Sequence, residues 1–118
     1  MAAPREVTPD QLDALLASPG ERLLLLYLWG PDCPNCEVFK RSLPKLLPEL
    51  EALPVDFVAL DAYQHPEVAR RYAVFGIPHF LLFKGGKKLG KMSEFKGEAF
   101  WLAVVREQAL GATDAARD

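Results

Sequence analysis

Apolar residues along this chain change their spacing several times, and each change predicts a boundary between elements. Leu12, Leu15 and Leu16 follow helical spacing. Ahead of them, Thr8-Pro9-Asp10-Gln11 combines an N-cap threonine, a proline at the first helical position and a glutamine three residues after the cap. A first helix therefore starts at Pro9, and Pro19-Gly20 ends it. Leu23 to Trp29 is a nearly continuous apolar run, as expected of a central strand covered on both faces. From Pro34 onward, Cys36, Phe39, Leu43, Leu46, Leu47 and Leu50 recur at three and four residues, which predicts an amphipathic helix. Pro44 is expected to kink that helix and Pro48 to end it.

Val55 to Leu60 reads as the next apolar strand, and Asp61 to Gln64 lead into a short helix whose first turn holds Pro66 and Glu67. Strand, helix, strand in this order implies parallel pairing through a right-handed crossover. His79 to Lys84 and Lys87 to Phe95 flank Gly85-Gly86, a dipeptide that tolerates the positive backbone angles of a tight turn, so these two strands form an antiparallel hairpin. Glu98 to Leu110 completes the pattern as a final helix, and 111–118 reads as a polar tail. The pattern is that of an α/β protein with a mixed sheet and a C-terminal hairpin, one domain over residues 1–110. Its 118 residues, half of them hydrophobic, bury roughly two-thirds of the unfolded surface of such a domain.

Charge narrows the choice of partners. With a formal charge of −2 and acids and bases interleaved, the chain offers no broad basic surface, so no nucleic-acid partner is expected. The first residues lack a charged start followed by an apolar core, and Leu23 to Trp29 is too short to span a bilayer. These features lead us to expect a soluble, cytoplasmic protein with no membrane partner. The cytosol keeps thiols reduced, and a lone closely spaced cysteine pair there is more often catalytic or metal-binding than a structural brace.

Cys33 and Cys36 form that pair, in Trp29-Gly30-Pro31-Asp32-Cys33-Pro34-Asn35-Cys36, where the central strand turns into a helix. Two intervening residues put both sulfurs on one helical turn, within reach of a disulfide that opens with little backbone movement. A helix N-terminus stabilises a thiolate through its unpaired N–H groups, so Cys33 is the expected attacking sulfur and Cys36 the resolving one. Pro34 sits where a helix tolerates a missing N–H and should stiffen the turn. A structural zinc site needs about four ligands. His65 and His79 would have to complete it, in no common finger spacing. An inert buried or bridged pair is the third reading.

A second motif, Phe75-Gly76-Ile77-Pro78-His79-Phe80-Leu81-Leu82-Phe83-Lys84-Gly85-Gly86, joins the first at a spacing that resembles thioredoxin. The resemblance runs from about Pro9 to Leu110 and implies a thioredoxin fold with helices on both faces of the sheet. It also implies a dithiol–disulfide oxidoreductase without a bound cofactor, acting as a monomer on disulfide-containing proteins. Electrons would come from a thioredoxin-reductase-like protein or a small thiol. Ile77-Pro78 should be cis and, with Trp29 and His79, form a substrate surface in which the Ile77 backbone pairs with an extended substrate strand. A protonated His79 would favour the Cys33 thiolate; the alternative is an exposed strand histidine without a special role.

Several positions depart from the family pattern. Tyr27 and Ala59 stand where the family carries a buried acid and its lysine partner, with Asp61 two residues along. Asp32 replaces a tryptophan, Pro34-Asn35 replaces Gly-Pro, and Ser93 replaces a groove glycine. Asp32 and Glu37 oppose the helix dipole by about 0.3–1 kcal/mol each if exposed. Lys84, Lys87, Lys88 and Lys91 read as charge that protects an edge strand. Phe100, Trp101, Val104 and Val105 read as a core stripe. A thioredoxin-fold binding or sensing module and a glutathione-linked relative remain as alternatives.

Overall fold

The structure, a computed structural model, describes residues 4–18 and 20–111. Pro19 of the expected helix stop and residues 112–118 of the expected tail lie outside the described residues. The chain runs β1 (Arg5–Glu6), α1 (Pro9–Ala17), β2 (Leu23–Trp29), α2 (Pro34–Glu51), β3 (Val55–Asp61), α3 (Pro66–Arg71), β4 (His79–Lys84), β5 (Lys87–Met92) and α4 (Glu98–Leu110).

Five strands form one mixed sheet in the order β1-β3-β2-β4-β5. β2 and β3 are parallel, as the crossover pattern predicts, whereas β4 runs antiparallel to both β2 and β5. The unbroken apolar run of β2 is explained by its central place, because successive side chains enter different cores. Leu23, Leu25 and Tyr27 pack with Phe39, Leu46 and Leu50 of α2 and with Trp101 and Val105 of α4. Leu24, Leu26 and Leu28 pack with Leu12 of α1 and Val68 of α3. Thr8 caps α1 through the expected reciprocal pair, its hydroxyl accepting from the Gln11 N–H while the Gln11 side chain accepts from the Thr8 N–H.

Three local expectations are corrected, and one strand is added that the apolar pattern does not predict. Helix α2 continues past Pro48 to Glu51. A proline in a helix interior costs about 3 kcal/mol, against about 1.5–3 kcal/mol gained for each buried leucine. Leu46, Leu47 and Leu50 hold the inner face down, while Pro44 and Pro48 both lie on the exposed face. Strand β5 stops at Met92 rather than Phe95. Its last partner is Phe80, and two ladder steps further β4 gives way to Pro78, which has no N–H to donate. Phe100 is 52% exposed, so only Trp101 and Val105 of the α4 stripe are fully in the core. Finally, β1 carries no hydrophobic signal, and it exists because the edge of β3 accepts it at Arg5↔Val58 and Glu6↔Ala59. Among the described residues no helix is long and apolar enough to cross a membrane.

Candidate active site

Cys33 and Cys36 are joined in a disulfide at the start of α2, their Cα atoms 5.2 Å apart. Cys33 is the N-cap residue, in an extended conformation, and its Sγ accepts the Cys36 N–H at 3.1 Å. The sulfur thus occupies the place of the serine or aspartate oxygen that usually satisfies a free helix amide. In the reduced protein the same N–H and the positive end of an 18-residue helix face the Cys33 thiolate. The two sulfurs are unequal in access, with Cys33 9% exposed and Cys36 1%.

Asp32 brings the chain into this cap with φ of 54°, a left-handed conformation that few residues other than glycine, asparagine and aspartate adopt readily. That backbone demand accounts for an acid immediately before the cysteine. Pro34 fills the first helical position and, like Asn35, lies exposed. Glu37 pairs with Lys40 at 3.5 Å, which partly offsets its charge beside the thiols.

Opposite the cap, the Ile77–Pro78 peptide bond is cis. The Ile77 carbonyl oxygen lies 3.8 Å from Cys33 Sγ. Gly30 permits this approach, because a Cβ there would stand 2.9 Å from both Ile77 Cδ1 and Tyr63 Cδ2. Asn35, Val38, Gly76, Ile77, Pro78, Ser93, Glu94 and Phe95 line a groove of about 370 Å³ beside the cysteines. Ser93 is therefore a wall of that groove, consistent with its place in the sequence.

His79 goes elsewhere. Its register opposite Leu28 turns the side chain to the α1/α3 face of the sheet, away from the face that carries Tyr27 and α2. It is 4% exposed, so the reading as an exposed strand histidine fails. Burial first, then the ammonium groups of Lys91 and Lys88, hold its imidazole below its ordinary value. A protonated His79 is thus disfavoured where it sits. His65 is the N-cap position of α3 and makes no side-chain cap bond there. Among the described residues no cluster of three or more His, Cys, Asp or Glu is placed to hold a metal.

Behind the cysteines, Tyr27 and Ala59 face each other across β2 and β3 in the larger core. The Tyr27 ring packs on Phe39 at 4.8 Å and Phe80 at 5.4 Å, its hydroxyl is buried without a partner, and burial pushes its pKa up. Asp61 does not replace the missing acid: its Oδ1 accepts the Tyr63 and Gln64 N–H groups at 2.9 and 3.1 Å and so closes the turn after β3. A carboxylate does reach this region from a position the apolar pattern passes over. Glu6 of β1 accepts the Trp29 indole N–H on both oxygens, at 2.8 and 3.0 Å. A two-residue strand with exposed side chains has no periodicity to reveal it.

The thioredoxin family model matches residues 3–105. This chain belongs to the thioredoxin family. Human glutaredoxin-3 is 33% identical to it over 112 residues, a match that covers 94% of this chain and 33% of that protein. The chain thus spans about a third of the length of the glutaredoxin-3 relatives it matches. Thioredoxin-like protein YusE of Bacillus subtilis is 28% identical and matches nearly end to end, over 92% of this chain and 97% of that one. The X-ray structure of Fasciola hepatica thioredoxin superposes with a TM-score of 0.74 at 24% identity, covering 86% of this chain and 95% of that one. The oxidized form of mitochondrial thioredoxin 3 from Saccharomyces cerevisiae gives 0.72 at 22% identity, covering 89% and 94%. At these identities the two structures show the fold. A helix-capping CxxC thus opens α2 of a thioredoxin-family domain.

Proposed function

We propose that this thioredoxin-family protein is a protein-disulfide reductase. The observation that carries the reading is Cys33 Sγ, held as a helix cap by the Cys36 N–H at 3.1 Å and set 3.8 Å from the Ile77 carbonyl of the adjoining groove. An extended substrate segment in that groove pairs with the Ile77 backbone and presents its disulfide to Cys33. The Cys33 thiolate attacks one substrate sulfur. The substrate S–S bond breaks, and the departing sulfur leaves as a thiolate that takes a proton from water.

Cys36 then attacks Cys33 Sγ, its thiol proton passing to water. The mixed disulfide breaks, the second substrate sulfur leaves as a thiolate, and the protein is left with the Cys33–Cys36 disulfide seen in the structure. Two electrons have passed to the substrate. They are restored by an external dithiol, either a thioredoxin-reductase-like protein or a small thiol, in a reducing compartment such as the cytoplasm.

Dithiothreitol-driven reduction of insulin tests the proposal. Wild type should accelerate insulin precipitation, and Cys33→Ser should not exceed the dithiothreitol background. Equal inactivity of the two would favour a thioredoxin-fold binding module, in which the cysteines only anchor or sense.

A further inference from the structure

Glu6 belongs to no catalytic step described above, yet its carboxylate is aimed at a residue of the active end. The register sets it beside Ala59, and Ala59 beside Tyr27, so all three share the face that α2 covers. Ala59 carries only a methyl group, and this leaves an open cleft of about 350 Å³ whose lining includes Glu6, Tyr27, Trp29, Lys40 and Leu43. The Trp29 indole reaches across it. Its N–H is shared between the two Glu6 oxygens, a charge-assisted bond. Lys40, four residues after Cys36 on α2, places its ammonium 5.2 Å from the centre of the same ring. An anion grips the edge of the indole while a cation covers its face.

The backbone of Trp29 is fixed independently. It is paired with Asp61 in the sheet, and its carbonyl accepts the Ala62 N–H at 2.7 Å. Removing Glu6 therefore releases the side chain and leaves the strand in place. Trp29 is only partly buried, and it is the last residue of β2 before the Gly30–Asp32 turn that delivers Cys33.

We propose that Glu6 is a positioning residue for substrate capture: it locks the Trp29 indole in one pose, and that pose is part of the surface on which a protein disulfide docks. The inference rests on the reductase reading. A macromolecular substrate contacts this surface, whereas a small aromatic disulfide needs little more than Cys33 itself.

The test compares wild type, Glu6→Ala and Glu6→Gln, with insulin and with 5,5′-dithiobis(2-nitrobenzoate) as substrates and with acrylamide quenching of tryptophan emission. Trp101 is fully buried, so quenching reports on Trp29. Glu6→Ala should raise KM for insulin about fivefold, the factor expected for one partly solvated charged hydrogen bond. The insulin kcat and the rate with the small disulfide should stay at the wild-type level, and quenching should increase. Glu6→Gln keeps a neutral acceptor and should recover most of the loss. An insulin KM equal to wild type in both variants overturns the proposal. So does an equal slowing of both substrates, because that marks a general structural effect. A wild-type protein that fails to reduce insulin overturns instead the reductase reading, while quenching still reports whether Glu6 holds the indole.

Discussion

The two ends of the sheet are closed by two tight turns, and they reach their unusual backbone angles by different routes. At one end Gly85 and Gly86, with φ of 61° and 80°, join β4 to β5. At the other, Asp32 carries φ of 54° and leads into the Cys33 cap. The hairpin uses residues that accept the left-handed region freely, so its geometry is written in the dipeptide itself. The catalytic turn puts a side chain there and is held by its surroundings: the Cys36 N–H on Cys33 Sγ, and Ile77 and Tyr63 against Gly30. Substitution at the hairpin should therefore cost stability, and substitution at the catalytic turn should cost function.

Gly86→Ala should give the largest change. A Cβ at this positive φ would meet the Leu16 carbonyl oxygen at 2.5 Å, and backbone has little room to yield. A loss of about 2–3 kcal/mol in urea unfolding is expected, with disulfide exchange unchanged under folding conditions. Gly30→Ala sharpens the contrast, because its Cβ would meet the Cδ1 tip of Ile77 and the ring edge of the exposed Tyr63. Both side chains can shift, Tyr63 into solvent, so the stability loss should stay near 1 kcal/mol, while KM for a protein disulfide rises severalfold as Ile77 moves in the groove.

How far each region is legible in the sequence follows the same division. Leu23–Trp29, the Cys33–Pro34 helix start, the Gly85-Gly86 turn and the Thr8 cap each rest on a local signal, and each appears where its residues predict. What escapes is what depends on a partner distant in sequence. Glu6 matters because β3 offers its edge and Trp29 reaches across Ala59. Helix α2 outlasts Pro48 because its inner leucines are buried, and β5 ends early because β4 meets Pro78. The direction of His79 depends on sheet register, which its neighbours in the chain do not specify.

His79 supplies a smaller test near the catalytic end. Its folded-state pKa lies below the ordinary value of 6.5, so as pH falls through that value the unfolded chain binds a proton before the folded protein does. Stability is full above the unfolded value and is lost as pH falls toward the folded one. His79→Leu should shrink the drop in urea midpoint between about pH 7 and pH 5, and an unchanged drop would contradict a buried neutral imidazole. Asp32→Gly should have the least effect on the fold, within about 1 kcal/mol by denaturation, since glycine accepts the same angle while adding freedom to the unfolded chain.

The division of labour between the cysteines is tested most directly by trapping. Cys36→Ser, reduced and exposed to a disulfide-bonded protein, should accumulate a covalent complex that mass spectrometry maps to Cys33 and that excess dithiothreitol releases. Cys33→Ser should trap nothing under the same conditions. A complex that forms equally well through Cys36, or none at all from either variant, would contradict the account.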